Sequence, residues 1–327
     1  MSGVELRPVA AEEADLRLDR WVRRHFPRLR HGQLQKLLRT GQVRVDGRRA
    51  GSDLRLGAGQ VIRVPPLPET EERPAPAAPS ARPGDRELLE AMILHRDEAL
   101  LVLNKPPGLA VQGGTGTRRH VDGLLGTLGE GDRRPRLVHR LDKDTSGLLV
   151  VARTAAAAAR LTESFRRHRV EKLYWALVVG RPHPAEGILD QPLAKQASGR
   201  GERVEADALG RPARTAFRTV ARAGKVATWL ALVPHTGRTH QLRAHCAALG
   251  VPILGDGKYG GAAAKPSGTP PGLMLHAREI RLPHPDGGTL QVSAPLPESL
   301  RAGFDWLGIE PDPHLPGATL ATFDLPW

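Results

Sequence analysis

A proline-rich segment divides this chain and sets the first limit on its fold. Residues 65–84, PPLPETEERPAPAAPSARPG, contain seven prolines and four alanines in twenty positions. Such a composition cannot build a hydrophobic core, and proline favours an extended, semi-rigid spacer. We interpret residues 65–84 as an interdomain linker with a folded unit on each side. The length of 327 residues agrees with two or three domains.

Positive charge is distributed unevenly along the chain. The formal net charge is +13, and residues 1–64 contribute +7 of it, with 14 Lys and Arg against 7 Asp and Glu. A basic excess of this kind favours a polyanionic partner, most often nucleic acid. Only 4% of the residues are aromatic, which argues against the recognition of bases on a broad stacking platform.

The sequence also argues against several classes of protein. Its one cysteine, Cys246, excludes a disulfide framework and a cysteine-based zinc or iron–sulfur site. The first residues lack the basic-then-apolar pattern of a secretory signal, and no apolar run approaches the ~18 residues of a membrane span. We therefore expect a cytoplasmic protein that does not associate with a membrane.

Residues 14–64 predict a small unit of two helices followed by strands. Apolar residues recur at helical spacing between Leu16 and Phe26, and a second helix is predicted from about His31 to Arg39. The strand segments QVRVDGRRA and GQVIRVP follow. This order of elements resembles the S4-type (alpha-L) RNA-binding domain, although a solvated basic face is the alternative. The resemblance implies RNA contacts from the arginines at the helix–strand junction: Arg39, Arg44, Arg48 and Arg49.

Residues 85–306 predict a larger α+β unit. Strands are predicted at 99–108, 146–153, 172–180 and 226–233, and helices at 155–168 and 239–249. Several strands in a row with few helices predict a mainly antiparallel β-sheet. Periodicity fades near residue 307, and we expect residues 307–327 to form a C-terminal tail.

Two patterns in this unit resemble ligand sites and are rejected. The G-x-G-x-x-G string at Gly255, Gly257 and Gly260 is followed by several prolines, whereas a dinucleotide site needs a long helix there. Histidines at 235, 240 and 245 recur every five residues, a spacing that cannot easily direct all three towards one metal. We predict no cofactor and no metal.

The segment LVHRLDKDTSGLLVVAR, residues 137–153, carries the strongest chemical pattern. Asp142 lies between Arg140 and Lys143 on a turn before an apolar strand. From spacing alone, Asp142 could equally be a loop carboxylate paired with its neighbours.

With its flanking motifs, this segment resembles the RluA family of RNA pseudouridine synthases, whose central motif is H-R-L-D followed by D-T-S-G. Further segments match in the family's order: NKPPG at 104–108, EKLYWALVVG at 171–180, PHTGRTHQLRAH at 234–245, GDGKYG at 255–260 and LHA at 275–277. The resemblance covers about residues 88–300. Together with the basic first unit and the linker, it points to the RluC subgroup, which modifies large-subunit ribosomal RNA.

The resemblance implies a pseudouridine synthase catalytic domain that isomerises uridine in 23S ribosomal RNA. The glycosidic C–N bond breaks, the base turns, and a C–C bond forms, with no net redox change. Asp142 would be the catalytic carboxylate, either attacking the sugar or acting through a glycal route. The partner would be 23S ribosomal RNA or a ribosome assembly precursor, and the chain would act as a monomer. A transfer-RNA target and a non-catalytic RNA-binding protein are the alternatives.

The other implied site residues surround Asp142. Arg243 would pair with Asp142 through both guanidinium nitrogens and keep it ionised. Tyr174 would stack on the uracil or transfer a proton, since Leu173 and Trp175 should face the opposite side of the strand. Arg140 would fill the space left by a flipped-out uridine. His139, Lys143 and Thr145 would hold the loop or contact phosphate.

Overall fold

The chain forms two compact units, Met1–Ala77 and Ala78–Trp327. The computed structural model describes residues 3–27, 29, 31–67, 82–114, 117, 119–129, 131–198 and 201–323. Most of the predicted linker, residues 68–81, lies outside the described residues.

The first unit has its own hydrophobic core. Its described elements are β1 (Glu5–Pro8), α1 (Leu18–His25), α2 (His31–Arg39), β2 (Arg44–Val45), β3 (Arg48–Arg49) and β4 (Val61–Val64). The strands form an antiparallel sheet in the order β1-β4-β2-β3. Leu18, Trp21 and Val22 of α1 are buried beside Leu34 of α2 and Ile62 of β4. The predicted helix at 31–39 is confirmed.

The second unit begins with alternating short helices and strands that lead to the Asp142 loop. They are α3 (Asp85–Ala91), β5 (Ile93–Arg96), β6 (Leu100–Lys105), α4 (Val121–Leu125), β7 (Arg136–Leu137), β8 (Ser146–Ala152) and α5 (Ala155–Arg166). The remainder is mostly strand: β9 (Glu171–Val179), β10 (Glu186–Asp190), β11 (Leu193–Ser198), β12 (Gly201–Ala206), β13 (Arg214–Ala223), β14 (Ala227–Pro234), α6 (Gln241–Ala248), β15 (Leu275–Pro283), β16 (Thr289–Ser293) and α7 (Glu298–Leu307). Within the described ranges, no helix is long and apolar enough to cross a membrane.

One large sheet organises the second unit. Its order is β10-β13-β14-β9-β15-β8-β6-β5, with β16 paired to β15 and β7 to β8. The β15–β8 pair is parallel and the other pairs are antiparallel, which confirms the predicted α+β class with a mainly antiparallel sheet. Strands β11 and β12 form a separate hairpin. Hydrophobic clusters pack around both halves of the large sheet.

Strands β8 and β15 approach closely where the Asp142 loop enters the sheet. Every residue of β8 is buried, as its continuous apolar sequence predicts. Gly147 has φ +104°, and a Cβ there would lie 2.2 Å from the carbonyl oxygen of Ala277. Glycine is therefore required at this contact, which fixes the start of β8 and with it the end of the loop.

The prediction of a C-terminal tail at 307–327 is wrong for the described residues 307–323. Helix α7 ends at Leu307, and the irregular segment after it packs into the core through Ala318, Leu320 and Phe323. The carbonyl oxygen of Ala318 accepts a 2.8 Å hydrogen bond from Trp175 Nε1. Apolar residues in an irregular segment have no period, so periodicity could not reveal that they are buried. Residues 324–327 lie outside the described ranges.

Candidate active site

A cleft of about 600 Å³ opens where the loop before β8, strand β9 and the start of α6 meet. Six of the predicted site residues line it: His139, Arg140, Asp142, Thr145, Tyr174 and Arg243. Lys143 is exposed on the same loop and does not line the cleft. The sequence motifs of four distant segments are thus brought together around one carboxylate.

The Asp142 loop is held from below by a buried lysine that sequence analysis did not single out. Lys105, at the end of β6, donates 2.9 Å hydrogen bonds to the carbonyl oxygens of Lys143, Pro106 and Leu109. Burial, opposed by the charges of Asp144 and Asp142, lowers the pKa of Lys105 to about 8. The ammonium therefore fixes the loop backbone while it contributes positive charge near Asp142.

His139 anchors the same loop to β8. Its Nε2 accepts a 2.8 Å hydrogen bond from the backbone N–H of Val150, and its ring stacks on Phe165 with centroids 4.4 Å apart. Burial, together with the charge of Lys172, lowers the pKa of His139 to about 3. The imidazole is therefore neutral near pH 7 and contributes hydrogen bonding and packing, not charge.

Thr145 and Asp142 close the turn that presents the carboxylate. The backbone N–H of Thr145 donates a 3.2 Å hydrogen bond to the carbonyl oxygen of Asp142, and Thr145 is buried. The side chain of Asp142 remains 17% exposed and can reach a molecule in the cleft.

Tyr174 reaches the cleft because successive side chains of β9 point to opposite faces of the sheet. Leu173 and Trp175 are buried in the hydrophobic interior, whereas Tyr174 is partly buried and lines the cleft, as the strand period predicts. Burial and the nearby charge of Asp142 raise the pKa of Tyr174. The phenol is therefore protonated at neutral pH and can donate a hydrogen bond.

The prediction that Arg243 pairs with Asp142 is wrong in this structure. Arg243 forms a bidentate ion pair with Asp256 instead of Asp142: Nε donates to Oδ2 at 2.8 Å and a terminal nitrogen donates to Oδ1 at 2.7 Å. Although burial lowers the pKa of Arg243, the hydrogen bonds and charge of Asp256 raise it overall. Asp256 is buried and also accepts from the backbone N–H groups of Lys258 and Tyr259. Asp256 follows Arg243 by 13 residues, outside α6, so local sequence spacing could not reveal this pair.

His240, the residue before α6, lies beside Asp142. Its Nε2 lies 4.0 Å from Asp142 Oδ2, and its Nδ1 lies 3.0 Å from the hydroxyl oxygen of Tyr259. The backbone of His240 is left-handed, with φ +53°, at the residue before α6. Burial, opposed by Asp142, lowers the pKa of His240. Strained backbone of this kind concentrates at functional sites.

The predicted RNA-contacting arginines belong to the first unit. Arg39 ends α2, and the others lie on the β2–β3 hairpin; all are exposed: Arg39, Arg44, Arg48 and Arg49. Arg44 donates to the carbonyl oxygen of Gly41 at 2.9 Å, which holds the hairpin against the end of α2.

The cleft combines the parts needed to act on an electron-poor carbon. It has a partly exposed carboxylate, a protonated phenol and an arginine held by a buried acid. In the described part of the chain, no cluster of His, Cys, Asp or Glu residues could hold a metal ion. Sequence analysis missed the roles of Lys105, Lys172, His240 and Asp256, although each lies within a segment quoted for the family resemblance.

Comparison with known proteins gives a consistent assignment. Residues 99–248 match the RNA pseudouridylate synthase family. The ribosomal large subunit pseudouridine synthase C of Pasteurella multocida is 38% identical over 303 residues, 91% of this chain and 92% of the relative. The protein of the same name from Escherichia coli K12 is 35% identical over 305 residues, 91% of this chain and 95% of the relative.

Solved structures agree with the sequence relatives. Human RNA pseudouridylate synthase domain containing 4 superimposes with a TM-score of 0.58 at 28% identity, covering 70% of this chain and 98% of the human chain. Human RNA pseudouridylate synthase domain containing 1 gives 0.52 at 29% identity, covering 69% and 85%.

Proposed function

The chain belongs to the RluA family of RNA pseudouridine synthases, and on that basis we propose that it isomerises specific uridines to pseudouridine in large-subunit (23S) ribosomal RNA. The relatives named for large-subunit modification span nearly the whole chain, including both units. The observation that carries the proposal is the cleft that joins Asp142, Tyr174 and Arg243, three residues that match the family's motifs.

Asp142 is the proposed catalytic carboxylate. Breaking the N1–C1′ bond of uridine leaves an electron-poor anomeric carbon, which a carboxylate can stabilise or attack. A glycal route uses the same carboxylate to take the C2′ proton of the sugar and to return it when the base rejoins C1′. In either route the base then rejoins through C5, N1 gains a proton, and the C5 hydrogen leaves to solvent.

Arg243 and Tyr174 are proposed to prepare the cleft for this step. Arg243, fixed by Asp256, holds its guanidinium close enough to Asp142 for the two charges to interact. Tyr174 carries a protonated phenol beside the carboxylate, so it can stack on the uracil or donate a proton to it.

Arg140 is proposed to assist base flipping. Its side chain is exposed at the mouth of the cleft, two residues before Asp142. A planar guanidinium in that place can occupy the gap left by an extruded uridine and bond the orphaned partner base. Lys143, exposed beside Asp142, is proposed to contact phosphate, whereas His139 and Thr145 hold the loop.

The first unit is proposed to be an S4-type RNA-binding domain over residues 14–64, tethered by the linker at 65–84 to the catalytic domain that begins at 85. Support comes from its two helices, its short strands and its exposed arginine cluster. We further propose that the chain acts as a monomer on 23S ribosomal RNA or an assembly precursor in the cytoplasm.

Mapping pseudouridine in the RNA of cells with and without this protein tests the proposal. We expect one or more 23S positions to change from pseudouridine to uridine when the protein is removed, and to return when it is restored. Identical 23S maps would contradict the proposal, and a loss confined to transfer RNA would assign a different substrate.

A further inference from the structure

Lys172 is a partly buried cation in the cleft that the proposed reaction has not used. It lies on β9 two residues before Tyr174, so both side chains project from the same face of the strand into the cleft. Within the described residues, its ammonium has no hydrogen bond or ion pair. Lys105, the lysine that holds the Asp142 loop, donates three hydrogen bonds.

An ammonium without a counter-charge is unfavourable in such a place. Burial lowers the pKa of Lys172 to about 8, which still leaves most of the groups charged at neutral pH. Removing a charge from water is costly unless an opposite charge accompanies it. Among the described residues that line the cleft, Asp142 is the one carboxylate, and Lys172 makes no ion pair with it. The partner must therefore come with the substrate.

The surroundings of Lys172 favour an anion. Arg140, Arg166 and Arg238 line the same cleft. His168 and His235 form a stacked pair there, with centroids 4.7 Å apart. Burial, together with the charges of His168, Arg214 and Lys172, lowers the pKa of His235. An RNA substrate carries one negative charge per phosphodiester group, so its backbone is the anion that enters with the base.

Strand spacing sets which anion can reach Lys172. Residues two apart on one face are separated by about 7 Å along the strand. That is the scale on which a nucleotide separates its base from its own phosphates. We propose that Lys172 binds a phosphodiester group adjoining the target uridine, while Tyr174 on the same strand face contacts the base.

This inference rests on the proposed function and makes a separate prediction. Replacing Lys172 with Gln should raise KM for 23S RNA about tenfold, with little change in kcat, because one charged contact is lost from the bound substrate. The slope of log affinity against log salt should fall by about 0.7–0.9. Lys172→Arg should restore most of both quantities.

Lys225→Gln is the matched control. Lys225 is exposed on the turn before β14, whereas Pro234 at the other end of β14 lines the cleft. Roughly 23 Å of strand separates the two ends of β14. The control should leave KM and the salt slope unchanged. An unchanged slope in Lys172→Gln, or a loss confined to kcat, would overturn the inference.

A second measurement neutralises the RNA phosphate instead of the lysine. An RNA hairpin around the mapped uridine would carry a neutral methylphosphonate at one adjoining linkage. At the bound linkage, wild type should lose about tenfold in affinity, whereas Lys172→Gln should lose nothing further. Equal losses in both proteins at every linkage tested would overturn the inference. If wild type forms no pseudouridine at all, the proposed function fails instead.

Discussion

The Arg243–Asp256 pair is the residue-scale feature on which the proposed chemistry depends most. A buried arginine needs a fixed counter-charge, and Asp256 provides one through two hydrogen bonds while two backbone N–H groups hold Asp256 itself. Arg243 is therefore held in one orientation where it lines the cleft together with Asp142. Asp256 is thus a positioning residue, since it acts on the reaction through Arg243.

Asp256→Asn should impair both stability and turnover. The amide cannot neutralise the buried guanidinium, so we expect the free energy of unfolding to fall by roughly 3 kcal/mol. Misplacement of Arg243 should lower kcat about 100-fold. Urea unfolding and steady-state kinetics measure the two effects, with the exposed Asp286→Asn as control. Wild-type values for both would show that Asp256 does not position Arg243.

Two buried neutral histidines predict how stability depends on pH. Burial lowers the pKa of His139 to about 3 and that of His276 to about 4, below the ordinary 6.5. The unfolded chain therefore binds protons first as pH falls, so stability should decrease below about pH 6.5. The slope is up to about 1.4 kcal/mol per pH unit for each histidine.

Urea unfolding between pH 7.5 and pH 5 measures this slope. His139→Gln, which keeps an acceptor for the Val150 N–H, should remove one histidine's share of it. The exposed His314→Gln should leave the slope as it is. A free energy of unfolding that stays constant or rises towards pH 5 would contradict the prediction.

At the scale of elements, local patterns predicted the strands and helices with the strongest periodicity. Helix α2 and strands β8, β9 and β14 begin and end within two residues of the predicted bounds. Strands β10 to β13 and β15 to β16 were not predicted, because their pairing is long-range and their solvent-facing residues interrupt any apolar run. The alternation of β9 did predict that Tyr174 reaches the cleft.

Only part of the site could be predicted, because some of its contacts are long-range. The H-R-L-D segment and its matching motifs identify Asp142, Tyr174 and Arg243, whereas the partner of Arg243 depends on how α6 packs against the Gly255–Gly260 loop. Lys172 had no local signal beyond its place in a strand. Its proposed role depends on the arginines and the scarcity of carboxylates among the described residues that line the cleft.

The segment after α7 should behave as part of the core. Leu320 is 3% exposed and packs in the cluster that contains Trp175 and Phe304. Leu320→Ala should therefore lower the free energy of unfolding by about 2–4 kcal/mol. Leu209→Ala is the control, because Leu209 is 97% exposed. Equal effects of the two substitutions in urea unfolding would restore the interpretation of this segment as a tail.

For the whole molecule, the uneven charge suggests that the first unit supplies affinity for RNA and the second unit supplies the chemistry. Residues 1–64 hold +7 of the +13 net charge in a unit with its own core, whereas the cleft lies in the second unit. Phosphate contacts by the first unit would raise affinity without selecting the base that reacts. The low aromatic content agrees with backbone contacts of this kind.

Removing the arginine cluster of the first unit tests this division. Replacing Arg39, Arg44, Arg48 and Arg49 with Gln should lower the slope of log affinity against log salt by about 3, because four phosphate contacts are lost. Turnover at saturating RNA should remain close to wild type. Removing Arg222 and Lys225 from the second unit is the control. An unchanged slope in the fourfold variant would show that the cluster does not touch RNA.

The central claim is that the chain forms pseudouridine in large-subunit ribosomal RNA with Asp142 as its catalytic carboxylate. Tritium release from 23S RNA labelled at uridine C5 measures that reaction directly. Wild type should release tritium as C5 forms its bond to the sugar. Asp142→Asn should release none above background while binding the same RNA with nearly wild-type affinity, because the substitution removes one charge without removing the cleft. Tritium release by Asp142→Asn at the wild-type rate would contradict the claim.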